Sequence, residues 1–192
     1  KPDPAWGYFT GELRFWLGWA QEVAGDHAAA EDTWRKGRGE LETFLREQPD
    51  NYNLLYDLAL TEMGLRNKAA ALTFSHRAMA AMPIERDAFD GPAPIEILAR
   101  VAAQLGEPDQ AITALQKLFS VPYEAPLGGG QAPLTPALLR LDPMFDPLRG
   151  DPRFQRLAAC EAPQGRRDMT MDTRQHRPPQ GRTSAPPPSR VP

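Results

Sequence analysis

The chain has 192 residues, 41% of them hydrophobic, and a formal net charge of −3, enough for one ordinary domain with a core of its own. Cys160 is the only cysteine, which excludes an intrachain disulfide and any zinc site with several thiolates. No run approaches the ~20 apolar residues that cross a bilayer, and the first residues lack the basic-then-apolar order of a signal peptide. A soluble chain is expected, cytoplasmic by preference and periplasmic if a transmembrane helix precedes it; Lys rather than Met at position 1 suggests a fragment or processed chain.

Residues 1–9 read as an N-terminal extension whose aromatics, between Trp6 and Phe9, need burial. Beyond them the chain repeats itself. Leu17-Gly18 is followed by Ala24-Gly25 and Ala30; Leu58-Ala59 by Leu65-Arg66 and Ala71; Leu98-Ala99 by Leu105-Gly106 and Ala111, with thirteen residues from each first Leu to its Ala. That spacing fits a helical hairpin: Leu and a small residue on helix A face the partner, a short turn follows, and Ala on helix B lets the backbones approach. One turn beyond each Ala on the same face come Trp34, Ser75 and Leu115, and three residues on come Gly37, Ala78 and Leu118.

In chain order the first pair covers about 10–48, its B helix running on through Leu41, Phe44 and Leu45 to Pro49. The second covers 50–82 and stops at Pro83; Asp90-Gly91-Pro92 then reads as a turn. The third covers 94–121 and stops at Pro122, after which Gly128-Gly129-Gly130 reads as a flexible loop tip. Residues 134–160 read as two short helices and a turn closing the array, with Thr135 and Asp151 as N-caps, each followed by proline at the first helical position. Trp34, Leu58, Ala71, Leu98 and Ala111 are the expected core.

From Glu161 onward seven of the 21 prolines gather with no aromatic residue, so this tail cannot bury enough surface to order itself. Its six arginines against Glu161, Asp168 and Asp172 give +6 − 3 = +3, leaving −3 − 3 = −6 for residues 1–160. An acidic body lacks the clustered Lys and Arg that specific nucleic-acid binding needs. Pro186-Pro187-Pro188 lies outside any PxxP pattern, so no SH3-type ligand is indicated.

Residues with chemical potential have ordinary readings. His27, with Glu31 four residues on, lacks a third metal ligand at any familiar spacing, and it and His76 read as solvated. His176 falls in the tail. The glycine run has neither a strand before it nor a helix and Lys after it, as a phosphate loop requires, and Cys160, at the end of the last helix, has no positioned His base. Neither catalysis nor a cofactor is expected.

The repeat resembles the tetratricopeptide repeat, W-x2-L-G-x2-Y, then A-x3-F, then A and P. The match lies at the Leu, small, Ala and Pro positions; Leu55 and Ile95 stand in the first aromatic slot, Ser75 in the Phe slot, and the Ala markers are 41 and 40 residues apart. With DAFDGP at 87–92, LDPMFDPLRGDPRF at 141–154 also resembles the end of tetratricopeptide regions in bacterial signalling proteins that carry a serine/threonine kinase, a nucleotide cyclase or a winged-helix regulator. The resemblance implies an all-α solenoid of about three helix pairs that binds a protein or peptide partner, or an upstream domain of its own chain.

In that family the A helices line a concave groove, whose slots here hold Phe15, Trp19 and Glu22, then Tyr56, Leu60 and Met63, then Glu96, Arg100 and Ala103. The resemblance therefore implies a groove graded from aromatic to charged, with Arg100 free to pair with a partner's acid. The alternatives are that the segment from Trp6 to Phe9 covers its aromatic end, that an upstream domain occupies it, or that the open first pair stacks on a second copy.

Overall fold

The computed structural model describes residues 4–121 and 133–159, with side chains from residue 11 onward. Six helices form three hairpins: α1 (Pro4–Val23) with α2 (His27–Glu47), α3 (Tyr52–Gly64) with α4 (Lys68–Ala81), and α5 (Pro92–Gln104) with α6 (Pro108–Leu118). After the glycine run, which lies outside the described residues, come α7 (Pro136–Leu141), a 3-10 segment (Pro143–Leu148) and α8 (Pro152–Ala159). The array is an all-helical tetratricopeptide-like solenoid of three pairs with a helical cap. Cys160, His176 and the rest of the tail also lie outside the described residues.

All three hairpins turn in the same way. Gly25, Arg66 and Gly106 adopt positive φ of 85°, 61° and 73°, the left-handed residue that ends a helix. The next residues, Asp26, Asn67 and Glu107, each donate their N–H at 2.9 Å to the carbonyls of Gln21, Glu62 and Ala102. Asp26 and Asn67 then cap helix B by accepting from Ala29 and Ala70 N–H, whereas after Glu107 the proline at N1 starts α6. Arg66 stands where the other two repeats have glycine, so the middle turn adopts a geometry that favours no side chain.

The A helices α1, α3 and α5 lie side by side in one row, and each B helix packs on the next A helix. Trp34 of α2 locks the first junction. A Cβ on Gly18 of α1 would come within 2.3 Å of its ring and one on Gly64 of α3 within 2.5 Å; the two glycines form the slot that holds the indole. Its Nε1–H donates to the Phe15 carbonyl at 3.2 Å, so the buried polar atom has a partner. Ser75, in the slot where the family prefers Phe, is wholly buried and donates to the Ala71 carbonyl at 2.9 Å. Trp34, Leu58, Ala71, Leu98 and Ala111 are all buried, as expected.

Three details differ from the sequence reading. α1 begins at Pro4, so the extension expected over 1–9 contains the first turns of a helix, with proline at its first position, where the missing N–H costs nothing. The turn expected inside the cap is a 3-10 helix, whose N-terminus Asp142 caps by accepting from Met144 N–H at 2.9 Å. α5 begins at Pro92, two residues before the expected start of the third pair at 94. The extended α2 matches the reading, and His27 is exposed, as read, while pairing with Glu22 at 2.8 Å.

Candidate functional site

The A-helix slots divide according to what each helix packs against. Phe15, Tyr56, Leu60, Met63, Glu96, Arg100 and Ala103 are buried; Trp19 and Glu22 keep part of their surface. The open, graded groove is therefore not what these side chains form. Phe15, Tyr56, Leu60 and Met63 join Ile97 and Val101 of α5 and Met144 of the cap in one apolar cluster, so they hold neighbouring A helices together. Phe15 stacks on Trp19 with ring centroids 6.2 Å apart and meets Trp16 edge-on at 5.1 Å. Whether Trp6 to Phe9 cover that end is a matter of side chains outside the described set.

At the other end, Arg100 has its acids within the chain. Its Nε and Nη2 donate to Glu96 Oε1 at 3.0 and 2.7 Å, and Nη1 donates to Asp142 Oδ2 at 2.5 Å. The guanidinium also lies over the Phe145 ring, 5.3 Å from its centroid. Burial would push the Arg100 pKa down, but Glu96 and Asp142 outweigh it and hold it above its ordinary value. Since Asp142 also starts the 3-10 segment, and Gln104 donates to the Met144 carbonyl at 2.7 Å, this network seats the cap on α5. The predicted partner-seeking cation is a structural clamp.

Glu22 has a comparable role at the turns. The His27 hydrogen bond, then Arg66, hold its carboxyl below the usual range, and its contact with Arg66 at 3.2 Å ties the first turn to the second. Further along α1, Glu12 and Asp57 of α3 form a pair of carboxyls. Asp57 is buried, its Oδ1 has no partner, and burial, aided by Glu12, pushes its pKa well up; burial also raises Glu12. Gly11 makes room for Asp57, since a Cβ there would meet Asp57 Oδ2 at 2.8 Å. Among the described residues no three His, Cys, Asp or Glu side chains converge as metal ligands.

The surface that sequence reasoning missed lies on the outer side of α1. From residue 11 to 24 the exposed residues that precede Gly25 are all apolar: Leu13, Leu17, Ala20, Val23 and Ala24. On α2 the exposed positions are mostly charged, Glu31, Asp32, Arg35, Lys36, Glu42 and Arg46 among them. Leu17 is 52% exposed, whereas its repeat equivalents Leu58 and Leu98 are 0% and 7% exposed. The signal was present as Leu-x3-Leu, but the repeat pattern marks Leu17 as core because it assumes a neighbour. A groove of about 410 Å³ between α4 and α6 is floored by Met79, Ile95, Leu98 and Ala114 and edged by His76 and Lys117.

The family model of the tetratricopeptide repeat matches residues 11–36 and 96–117, which are parts of the first and third hairpins. The middle hairpin shares their turn geometry. No curated protein and no solved structure matches the chain. Among the described residues no helix is long and apolar enough to cross a membrane.

Proposed function

We infer that this chain is a non-catalytic protein-binding module, a rigid stack of helix pairs that holds a partner protein. The observation that carries the reading is the apolar outer side of α1, contiguous along the helix and without a neighbour among the described residues, beside an α2 that turns mostly charged residues outward. Tetratricopeptide repeats mediate protein–protein contacts, and the matches to that family agree with this reading. Of the groove residues, Trp19 and Glu22 at the turn end of α1 remain accessible for a partner. The others serve packing.

A second reading is favoured by the cap. The sequence 141–154 resembles the end of tetratricopeptide regions in bacterial signalling proteins and builds a buried structure from Met144, Phe145, Leu148 and Phe154. In such a chain the module is the regulatory arm of a kinase or cyclase, and a neighbouring domain takes the α1 surface. A benzophenone photocrosslinker at Ala20, introduced in the whole protein in its source cells, separates the two. Crosslinks to another polypeptide support the binding module, and crosslinks within the same chain support the regulatory arm. Illumination that yields neither overturns both.

A further inference from the structure

We propose that the outer face of α1 is the docking site for an amphipathic helix of a partner protein, which packs there as the B helix of one more repeat. The inference rests on the binding-module reading and specifies the partner's chemistry. Its basis is the continuity of the array. At the next junction Leu54 and Leu58 of α3 are buried with Leu41 of α2, while Phe44 and Leu45 of α2 pack against that cluster. With the repeat offset of 41, Leu54 and Leu58 correspond to Leu13 and Leu17. The same pair, Leu-x3-Leu, therefore appears on both helices. On α3 a preceding B helix covers it; on α1 Leu13 is 68% exposed.

The register also describes the occupant. α2 supplies its junction with Leu41, Phe44 and Leu45, apolar residues at i, i+3 and i+4, and keeps charges on its far side; a helix of that pattern matches the α1 face. Among the described residues, the B helices of a second copy have no such face to spare. Each B helix already has its onward neighbour: α3 for α2, α5 for α4 and α8 for α6. The charged residues of α1 between 11 and 23 are half-buried, Arg14 paired with Glu40 and Glu22 with Arg66, so recognition is by apolar shape rather than by ion pairing.

The α2 helix itself, offered in trans, is the probe. A fluorescent peptide of residues 27–47, held helical by a lactam between Asp32 and Lys36, which are exposed and already paired at 2.6 Å, is titrated with the full chain. Saturable binding is expected, weakened about tenfold or more by Leu13→Glu with Leu17→Glu, with the far-ultraviolet circular dichroism of the variant unchanged. No saturation by about 1 mM, or equal binding to the variant, overturns the proposal. Sedimentation velocity of the chain alone is expected to give a monomer; a dimer that the double substitution dissolves gives the face to a second copy and equally overturns it. A photocrosslinked partner whose capture ignores Leu13→Glu and Leu17→Glu removes this site but leaves the binding-module reading standing.

Discussion

The two ends of the array solve the same problem differently. A repeat cannot bury its apolar face alone, so each end of a solenoid leaves a surface that lacks a neighbour. At the C-terminal end the cap covers it: Phe145, Leu148, Phe154 and Ala158 enter the core with Leu115 and Leu118 of α6, and Arg153 of α8 reaches Asp109 of α6 at 2.7 Å. At the N-terminal end Leu13 and Leu17 face solvent. The residue type at the slot is the same in all three repeats, Leu17, Leu58 and Leu98. Exposure is set by the neighbour, and a bare core slot marks where a neighbour belongs.

The largest expected effect breaks the closed end. Arg100→Met removes the cation from between Glu96 and Asp142 and leaves Glu96, already with Oε2 unpartnered, as a buried acid without a counter-charge. Losing one member of a buried ion pair costs about 3–5 kcal/mol. Urea titration measures the loss, and hydrogen exchange is expected to show it first as lowered protection in the cap, 133–159. Arg100→Met with Glu96→Gln recovers part of the stability, since the unpaired charge is then gone.

Next comes the shared slot itself. Leu58→Ala empties a fully buried site and is expected to cost ~2–5 kcal/mol. Leu17→Ala, at the equivalent position, removes a side chain that is half in water and is expected to cost less than about 1 kcal/mol. Parallel thermal melts check the difference. Equal costs would mean that Leu17 is covered in solution, by a second copy or by residues outside the described set.

The part of this contrast that could be read in the sequence was the part set by spacing within one hairpin. Leu58, Ala71, Leu98 and Ala111 declared themselves through the thirteen-residue interval, and Thr135-Pro136 and Asp151-Pro152 through cap chemistry; Thr135 Oγ1 does accept from Leu138 N–H, and Asp151 Oδ1 from Arg153 N–H. What spacing could not supply was the identity of the neighbour across each helix. Tyr56 and Leu60 have the angular position of groove residues, but α5 and Met144 pack against them. Arg100 and Asp142 are 42 residues apart, with no periodic relation between them. His27 opens its helix, and the carboxylate that reaches it, Glu22, comes from before the turn, where no helical spacing points to it.

A smaller effect tests the seam between the open end and the rest. Asp57 lies between α1 and α3, with burial and then Glu12 pushing its pKa well up. The unfolded chain ionises near ~3.9, while the folded chain keeps its proton to higher pH. Between those two values the folded state binds more protons, so stability falls as pH rises, by at most about 1.4 kcal/mol per pH unit. Glu12, also raised, adds a contribution of the same sign. Asp151, held down to about 2 mainly by Arg153, and Glu22 and Asp87, also lowered, act the other way and gain stability as pH rises through the acid range. Subtracting the wild type from Asp57→Asn cancels those groups and isolates the buried one. The amide introduces donors that need partners, which offsets part of the gain, so the net effect at pH 7 is about +1 kcal/mol. The difference between variant and wild type, from urea titrations at pH 4 to 8, is expected to grow with pH. A difference that stays flat would mean that Asp57 is ionised in the folded chain and that water reaches the α1–α3 seam; the outer helix would then be held more loosely than the three hairpins' common geometry implies.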